Sequence, residues 1–385
     1  MAIAHVDVGR QEGDTAPLQI YLSRCLIFPR FVGVFPFRIS GGIYVNRIEL
    51  AISLVINLLS IGVIMVAVTI DVTDHSSKAE FQAAMISFVE GVLVTVSIAL
   101  STLTIVMKQK KLKSLYNCLV QVGMLVERIP GKRRPFPSMR RSNIKLLFSV
   151  PLMAIICMET RRAIRDSTYG PPLFYLSVYA HCMCNIKLFG VAIEFAVFTE
   201  FLGHWFNILY KTMAAPDQYL TGKTVQLASE ACDCLVSALE YIRSAFGSTL
   251  LIMVVNCFVK STANFNKLIR EDKPYWILLF GLWIINMLMQ LLLVVIAANY
   301  TIKQANLYEW TMYRRIKNES TTSMVSTQTK MMLFLARKKK IKIDLCGFTT
   351  LDNGLLGKIL AATLTYSIVL SQLNFTVKPS SGLPV

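Results

Sequence analysis

The residues of this chain with chemistry to offer inside an apolar setting are amides, hydroxyls and a few lysines. The stretch TYSIVLSQLNF, residues 365–375, places Thr365, Tyr366, Ser367, Ser371, Gln372 and Asn374 in an otherwise apolar run. A glutamine amide presents a carbonyl to a cation and an N–H to a neighbour. On a helix, Lys358, Ala361, Thr365, Val369, Gln372 and Thr376 share one face, and Thr363, Ser367, Leu370 and Asn374 share the opposite one. A helix facing lipid keeps one side purely apolar, so a helix polar on two sides belongs inside protein or beside water. Ser367 and Ser371 suit the role of hydrogen-bonding glue between helices. Gln372 suits it less, because a long amide needs several partners or water.

A second group lies upstream. Asn256, Lys260 and Asn264 recur every four residues, Trp283 and Asn286 lie near one helical face, and Tyr175 and Tyr179 are four apart. An aromatic wall with a few fixed polar groups suits a small organic ligand, with Tyr179, Asn256, Lys260, Trp283 and Asn286 as candidates. Tyr175 and Trp276 fit an interfacial aromatic belt. Glu90, Lys187 and Glu194 are charges at depth and are expected to pair structurally. His181 is expected to be a packing residue. No Gly-rich phosphate loop, metal triad or Ser-His-Asp set is present, so the chain does not read as an enzyme and calls for no cofactor. The pairs Cys182/Cys184 and Cys232/Cys234 lack partners at zinc spacing, and no cysteine pair is placed for a disulfide.

The elements that hold these residues follow from composition. Of 385 residues, 54% are hydrophobic and only 16% charged, against about 25% charged in a soluble domain. Apolar residues gather in blocks near bilayer-crossing length, at 48–70, 81–106, 145–160, 172–199, 245–263, 275–299 and 355–377. The reading is an all-α polytopic membrane protein of seven helices. The third block is the weakest, interrupted by Pro151 and closed early by Arg161 and Arg162. The fourth and sixth continue into polar helical extensions, and 224–244 leads helically into the fifth. The N-terminus lacks the pattern of a cleaved signal peptide, so the first span is expected to direct insertion. Of the 40 Lys and Arg, 30 fall in segments that are cytoplasmic if the N-terminus is inside (Lys145 and Lys358 at the inner ends of their blocks counted there), eight fall outside, and Lys187 and Lys260 lie deep within spans. That asymmetry predicts a cytoplasmic N-terminus and an extracellular C-terminus. The basic runs behind the +17 charge then sit beside anionic plasma-membrane lipid, not nucleic acid. The chain divides into a cytoplasmic segment 1–47, a ligand-binding bundle 48–299, a cytoplasmic helical anchor 300–354, and a pore-lining helix with a short tail, 355–385.

The C-terminal stretch resembles the signature of the insect gustatory receptor family: Thr-Tyr, five mostly hydrophobic residues, then Gln-Phe. Thr365, Tyr366 and Gln372 match, Leu373 stands where the family usually has Phe, and Phe375 lies two positions on. Phe348, Leu351, Asp352 and Leu355 also fall at familiar spacings. The resemblance implies a ligand-gated cation channel in the plasma membrane of gustatory sensory neurons. It implies a homo- or hetero-tetramer with other gustatory receptors and four seventh helices around one pore. Val369 and Gln372 would line that pore, with Thr365 and Tyr366 nearer its inner end and Leu373 at its outer gate. Sugar-sensing members carry an acidic residue after Thr-Tyr; Ser367 there points to a bitter or aversive tastant. A G-protein-coupled receptor is disfavoured by the inside N-terminus and missing motifs, and a secondary transporter by the lack of an internal repeat.

Overall fold

The computed structural model describes residues 12–31, 37–39, 43–45, 47–73, 78–129, 150–166, 172–215, 222–270, 272–319 and 341–376. Of helix residues 67–73, 78–88, 160–166 and 172–181, only the backbone is described. Two short helices open the chain, α1 (Glu12–Cys25) and α2 (Ile27–Phe31), followed by a two-stranded hairpin, β1 (Phe37–Ile39) and β2 (Ile43–Val45). Long helices come next: α3 (Arg47–Thr73), α4 (Lys78–Glu127), α5 (Val150–Asp166), α6 (Pro172–Met213), α7 (Gly222–Arg270) and α8 (Pro274–Glu319). A second hairpin, β3 (Asp344–Leu345) and β4 (Thr349–Thr350), leads into α9 (Asn353–Thr376). Helices α3 to α9 fall on the seven expected blocks, and the molecule is mostly helical.

Four helices, α4, α6, α7 and α8, have 50, 42, 49 and 46 residues, more than twice the roughly 20 that span a bilayer. The extensions expected for α6, α7 and α8 are present. The one on α4 was not expected, because the run MKQKKLK reads as a loop. Its continuation nevertheless carries helical periodicity. Leu112, Leu115, Tyr116, Leu119, Val122 and Val126 are buried, while Lys110, Lys113, Asn117 and Gln121 are exposed. The third span also departs from expectation. Pro151 does not interrupt α5 but sits in its first turn, where a missing N–H costs nothing. Arg161 and Arg162 do not close it, since the helix runs on to Asp166.

Helix α6 is the centre of the packing. Every residue from Lys187 to Thr199 is buried, so this helix is enclosed on all sides. Tyr21 of α1 meets Phe201 at 5.6 Å between ring centroids, and Phe28 of α2 meets Phe189 at 5.5 Å. These contacts dock the N-terminal helices onto α6. Helix α8 runs along its other side. Thr301 Oγ1 donates to Thr199 O at 2.6 Å, Tyr308 OH to Ala228 O of α7 at 3.1 Å, and the Arg315 guanidinium to Ala215 O. The approach of α6 to α8 depends on Gly203. A Cβ there would lie 2.8 Å from Thr301 Oγ1 and 2.8 Å from the Tyr300 ring.

Thr301 is fully buried and held by Thr199 O and Ala297 O, so it has no room to give way. Gly203→Ala is therefore expected to destabilise the protein by about 1–3 kcal/mol, partly offset by better helix propensity. A lower melting temperature of the detergent-solubilised protein checks this. Burial also pushes the half-buried Glu309 carboxyl of α8 up to about 7 from 4.5. The folded state holds that proton more tightly than the unfolded chain does. Its cost is therefore absent below the unfolded value and grows as pH rises to about 7. Glu309→Gln should melt like the parent at pH 4.5 and above it at neutral pH. Equal shifts at both pH values would contradict this origin.

Candidate functional site

Helix α9 is set in place at its start by the second hairpin. Cys346 and Gly347 take left-handed backbone conformations, with φ of 52° and 81°, and Phe348 N donates to Leu345 O at 3.0 Å. Ile343, Leu345 and Leu351 are buried, and Arg243 of α7 pairs with Asp344 at 3.0 Å. A cleft of about 440 Å³ lies here, lined by Glu240, Arg243, Ser244, Ser248 and Cys346. Asp352 caps α9. Its Oδ1 accepts from Leu355 N at 3.0 Å and its Oδ2 from Thr350 Oγ1 at 2.9 Å, and these bonds hold its carboxyl below the usual range. Asn299 of α8 donates to Asn353, so the first turn of α9 is tied to α8 as well as to α7.

From there α9 presents three faces. Leu355, Ile359, Thr363 and Ser367 recur every four residues and are buried against the bundle. Among the described residues, the hydroxyls of Thr363 and Ser367 meet no hydrogen-bond partner. Lys358, Ala361, Thr365, Val369 and Gln372 form an exposed face on the other side. Leu360, Leu364 and Ile368 make an exposed apolar flank between the two. Thr365 Oγ1 bonds back to Ala361 O at 2.9 Å. Tyr366 is 57% exposed, yet its ring meets Phe258 of α7 edge-on at 5.6 Å. The Leu373 side chain lies outside the described residues.

Asn256, Lys260 and Asn264 of α7 and Asn286 of α8 are all buried. The Lys260 ammonium lies 5.7 Å from the half-buried Trp283 ring, a loose cation–π contact. Asn264 Nδ2 donates to Lys260 O at 2.8 Å, and Asn286 Oδ1 accepts from Gln290 Nε2 at 3.4 Å. Of these candidates, Lys260 and Trp283 meet across α7 and α8; Asn256 shares the helical face of Lys260, and Asn286 lies near that of Trp283. Gln290 joins them one turn beyond Asn286, a spacing visible in the sequence but passed over. The side chains of Tyr179, Tyr175, His181 and Glu90 lie outside the described residues.

The buried charges pair across helices. Lys187 and Glu194 share a face of α6 but stand about 10 Å apart along it, too far to meet. Lys187 donates to Asn57 of α3, and Glu194 pairs with Lys108 of α4 at 3.8 Å. The Lys108 ammonium also lies 4.1 Å from the centre of the Phe246 ring of α7. One buried cation thereby joins α4, α6 and α7. Lys108 was missed because it opens a basic run that reads as a solvated loop.

The 7tm chemosensory receptor family has a model that matches residues 22–376 of this chain. The solved structure of the insect olfactory receptor OR5 from Machilis hrabei superposes with a TM-score of 0.62 at 14% identity, over 94% of this chain and 100% of that one. At that identity the likeness shows a shared fold. The S-type anion channel SLAH4 of Arabidopsis thaliana is 26% identical over 170 residues, 41% of this chain. The chain spans 42% of the length of that curated relative.

A buried ion pair loses most when one partner alone is removed. Glu194→Leu should therefore destabilise by about 3–5 kcal/mol, and adding Lys108→Met should recover most of the loss. Melting of the four proteins of this double-mutant cycle checks it; additive losses would mean the two charges do not interact.

Proposed function

We propose that this chain, which belongs to the 7tm chemosensory receptor family, is a gustatory receptor acting as a ligand-gated, non-selective cation channel. A small tastant, a bitter or aversive compound, opens it in the plasma membrane of gustatory sensory neurons. The tastant binds among Tyr179, Asn256, Lys260, Trp283 and Asn286. Thr365, Tyr366, Val369, Gln372 and Leu373 line and gate the pore. The N-terminus is cytoplasmic and the C-terminus extracellular. The channel is a tetramer, of this chain alone or with other gustatory receptors.

The observation that carries the reading is the exposed face of α9. Lys358, Thr365, Val369 and Gln372 lie uncovered in the single chain, on a helix whose length and apolar content suit a bilayer. Polar groups at that depth need water or protein. One helix encloses nothing, so symmetric copies around a water-filled axis supply both, and the flank of Leu360, Leu364 and Ile368 offers the contact between copies.

A second reading, an anion-conducting pore, has an observation of its own: Lys358 is the charged group on the exposed face among the described residues. Reversal potentials separate the two. A shift on replacing external sodium with a large cation supports the proposal, and a shift on replacing chloride with gluconate supports the alternative. Block of the response by a G-protein inhibitor would contradict both.

Gln372 gives the sharper test. In a tetramer, Gln372→Glu places an acidic ring at one level of the pore and should raise divalent over monovalent permeability. Gln372→Leu leaves an apolar ring there and should suppress current by dewetting. Both are read as ion permeability in cells matched for surface protein. Unchanged selectivity in Gln372→Glu, with current following expression alone, would remove Gln372 from the pore.

A further inference from the structure

Between α7 and α8 a set of buried amides keeps hydrogen-bonding capacity that the described residues do not meet. Asn256 is completely buried, and neither its Oδ1 nor its Nδ2 finds a partner. Asn286 and Gln290 share one hydrogen bond, yet Asn286 Nδ2 and Gln290 Oε1 remain unmet. Two contacts bracket the antiparallel register of α7 and α8: Lys260 with Trp283, and Tyr308 OH with Ala228 O. They set Asn256 opposite the stretch 280–287 of α8, so that Asn286 falls within that level and Gln290 one turn beyond it. Buried donors and acceptors without partners cost free energy, so a cluster of them is suited to be completed by a bound molecule.

The chemistry of the unmet atoms narrows that molecule. They are two amide N–H groups and two amide carbonyls, donors and acceptors together. A carboxylate would satisfy the N–H groups and be drawn to Lys260, but it would oppose both carbonyl oxygens and lose its hydration on burial. An ammonium would satisfy the carbonyls, leave the N–H groups unmet, and sit in the field of the buried Lys260. A neutral amide, lactam or urea edge carries a donor and an acceptor side by side and answers both. The flat indole of Trp283, one turn away and half-buried, offers a face for a planar ring.

We infer that the α7–α8 cluster of Asn256, Asn286 and Gln290 binds a neutral, planar ligand through an amide-type edge, and that Lys260 excludes protonated amines of the same shape. This rests on the reading that the bundle binds the tastant, and it names the tastant's class.

Benzamide, benzoate and benzylamine share one ring and carry a neutral amide, an anion and, at neutral pH, a cation. Binding to the purified full-length receptor is read as a rise in melting temperature with ligand concentration. Benzamide should bind at least about tenfold more tightly than either charged analogue. Asn256→Leu should weaken benzamide by about tenfold or more without lowering the melting temperature of the ligand-free protein, because it removes an unmet buried amide. Lys260→Met should strengthen benzylamine by about tenfold and leave benzamide within about threefold. The inference is overturned if none of the three compounds shifts melting, if a charged analogue binds best, or if Asn256→Leu leaves the benzamide shift intact. Binding of benzamide without current in intact cells would stand against the channel reading and leave this inference in place.

Discussion

A helix in a bilayer cannot leave polar side chains facing hydrocarbon, and α9 carries them on two sides. The bundle takes one side: Thr363 and Ser367 continue the buried row begun by Leu355 and Ile359. The other side, from Lys358 to Gln372, is left to whatever lies outside the single chain. Everything else in the molecule can be seen as the frame that holds α9 at the bundle edge with that face outward. The frame begins at the second hairpin. Arg243 reaches Asp344, Asn299 reaches Asn353, and Asp352 caps the first turn. The start of α9 is therefore anchored to both α7 and α8.

The same two helices carry the ligand candidates farther along their length. Asn256 and Lys260 lie on α7, which also holds Phe258 against Tyr366 of α9. Trp283, Asn286 and Gln290 lie on α8, which also holds Asn299 against Asn353. On the proposed function, a ligand that shifts α7 against α8 would act on α9 at these two points through rigid helix. Coupling would then need only two elements shared by the proposed sites and no chain of intermediate contacts. The C-terminal part of α6 gives these helices a fixed base, through the close approach at Gly203 and the Thr301–Thr199 bond.

Much of the architecture was legible in the sequence because apolar block length is a direct reading of bilayer thickness. All seven long helices fall on expected blocks, and three of their extensions were anticipated from unbroken periodicity. The extension of α4 escaped notice because its first turns, Lys108 to Lys113, are basic and look solvated; Lys108 is instead buried on Glu194. Pro151 misled in the opposite way, since a proline reads as a break unless the helix starts beside it. The two hairpins were missed because strands of two or three residues leave no alternation to detect. Within the site, the periodic spacing of Asn256 and Lys260 was visible, whereas the pairing of Glu194 across helices was not, because one sequence records no tertiary contact.

If α9 lines a pore, its face bearing Val369 borders water while the face bearing Ser367 is sealed in the bundle. Cysteine accessibility tests this most directly. Val369→Cys and Ser367→Cys channels would each be exposed to a small, charged, membrane-impermeant thiol reagent during ligand-evoked current. Position 369 should be modified rapidly, with block of the current, and position 367 not at all over the same time. Equal protection at both positions, or faster reaction at 367, would contradict it.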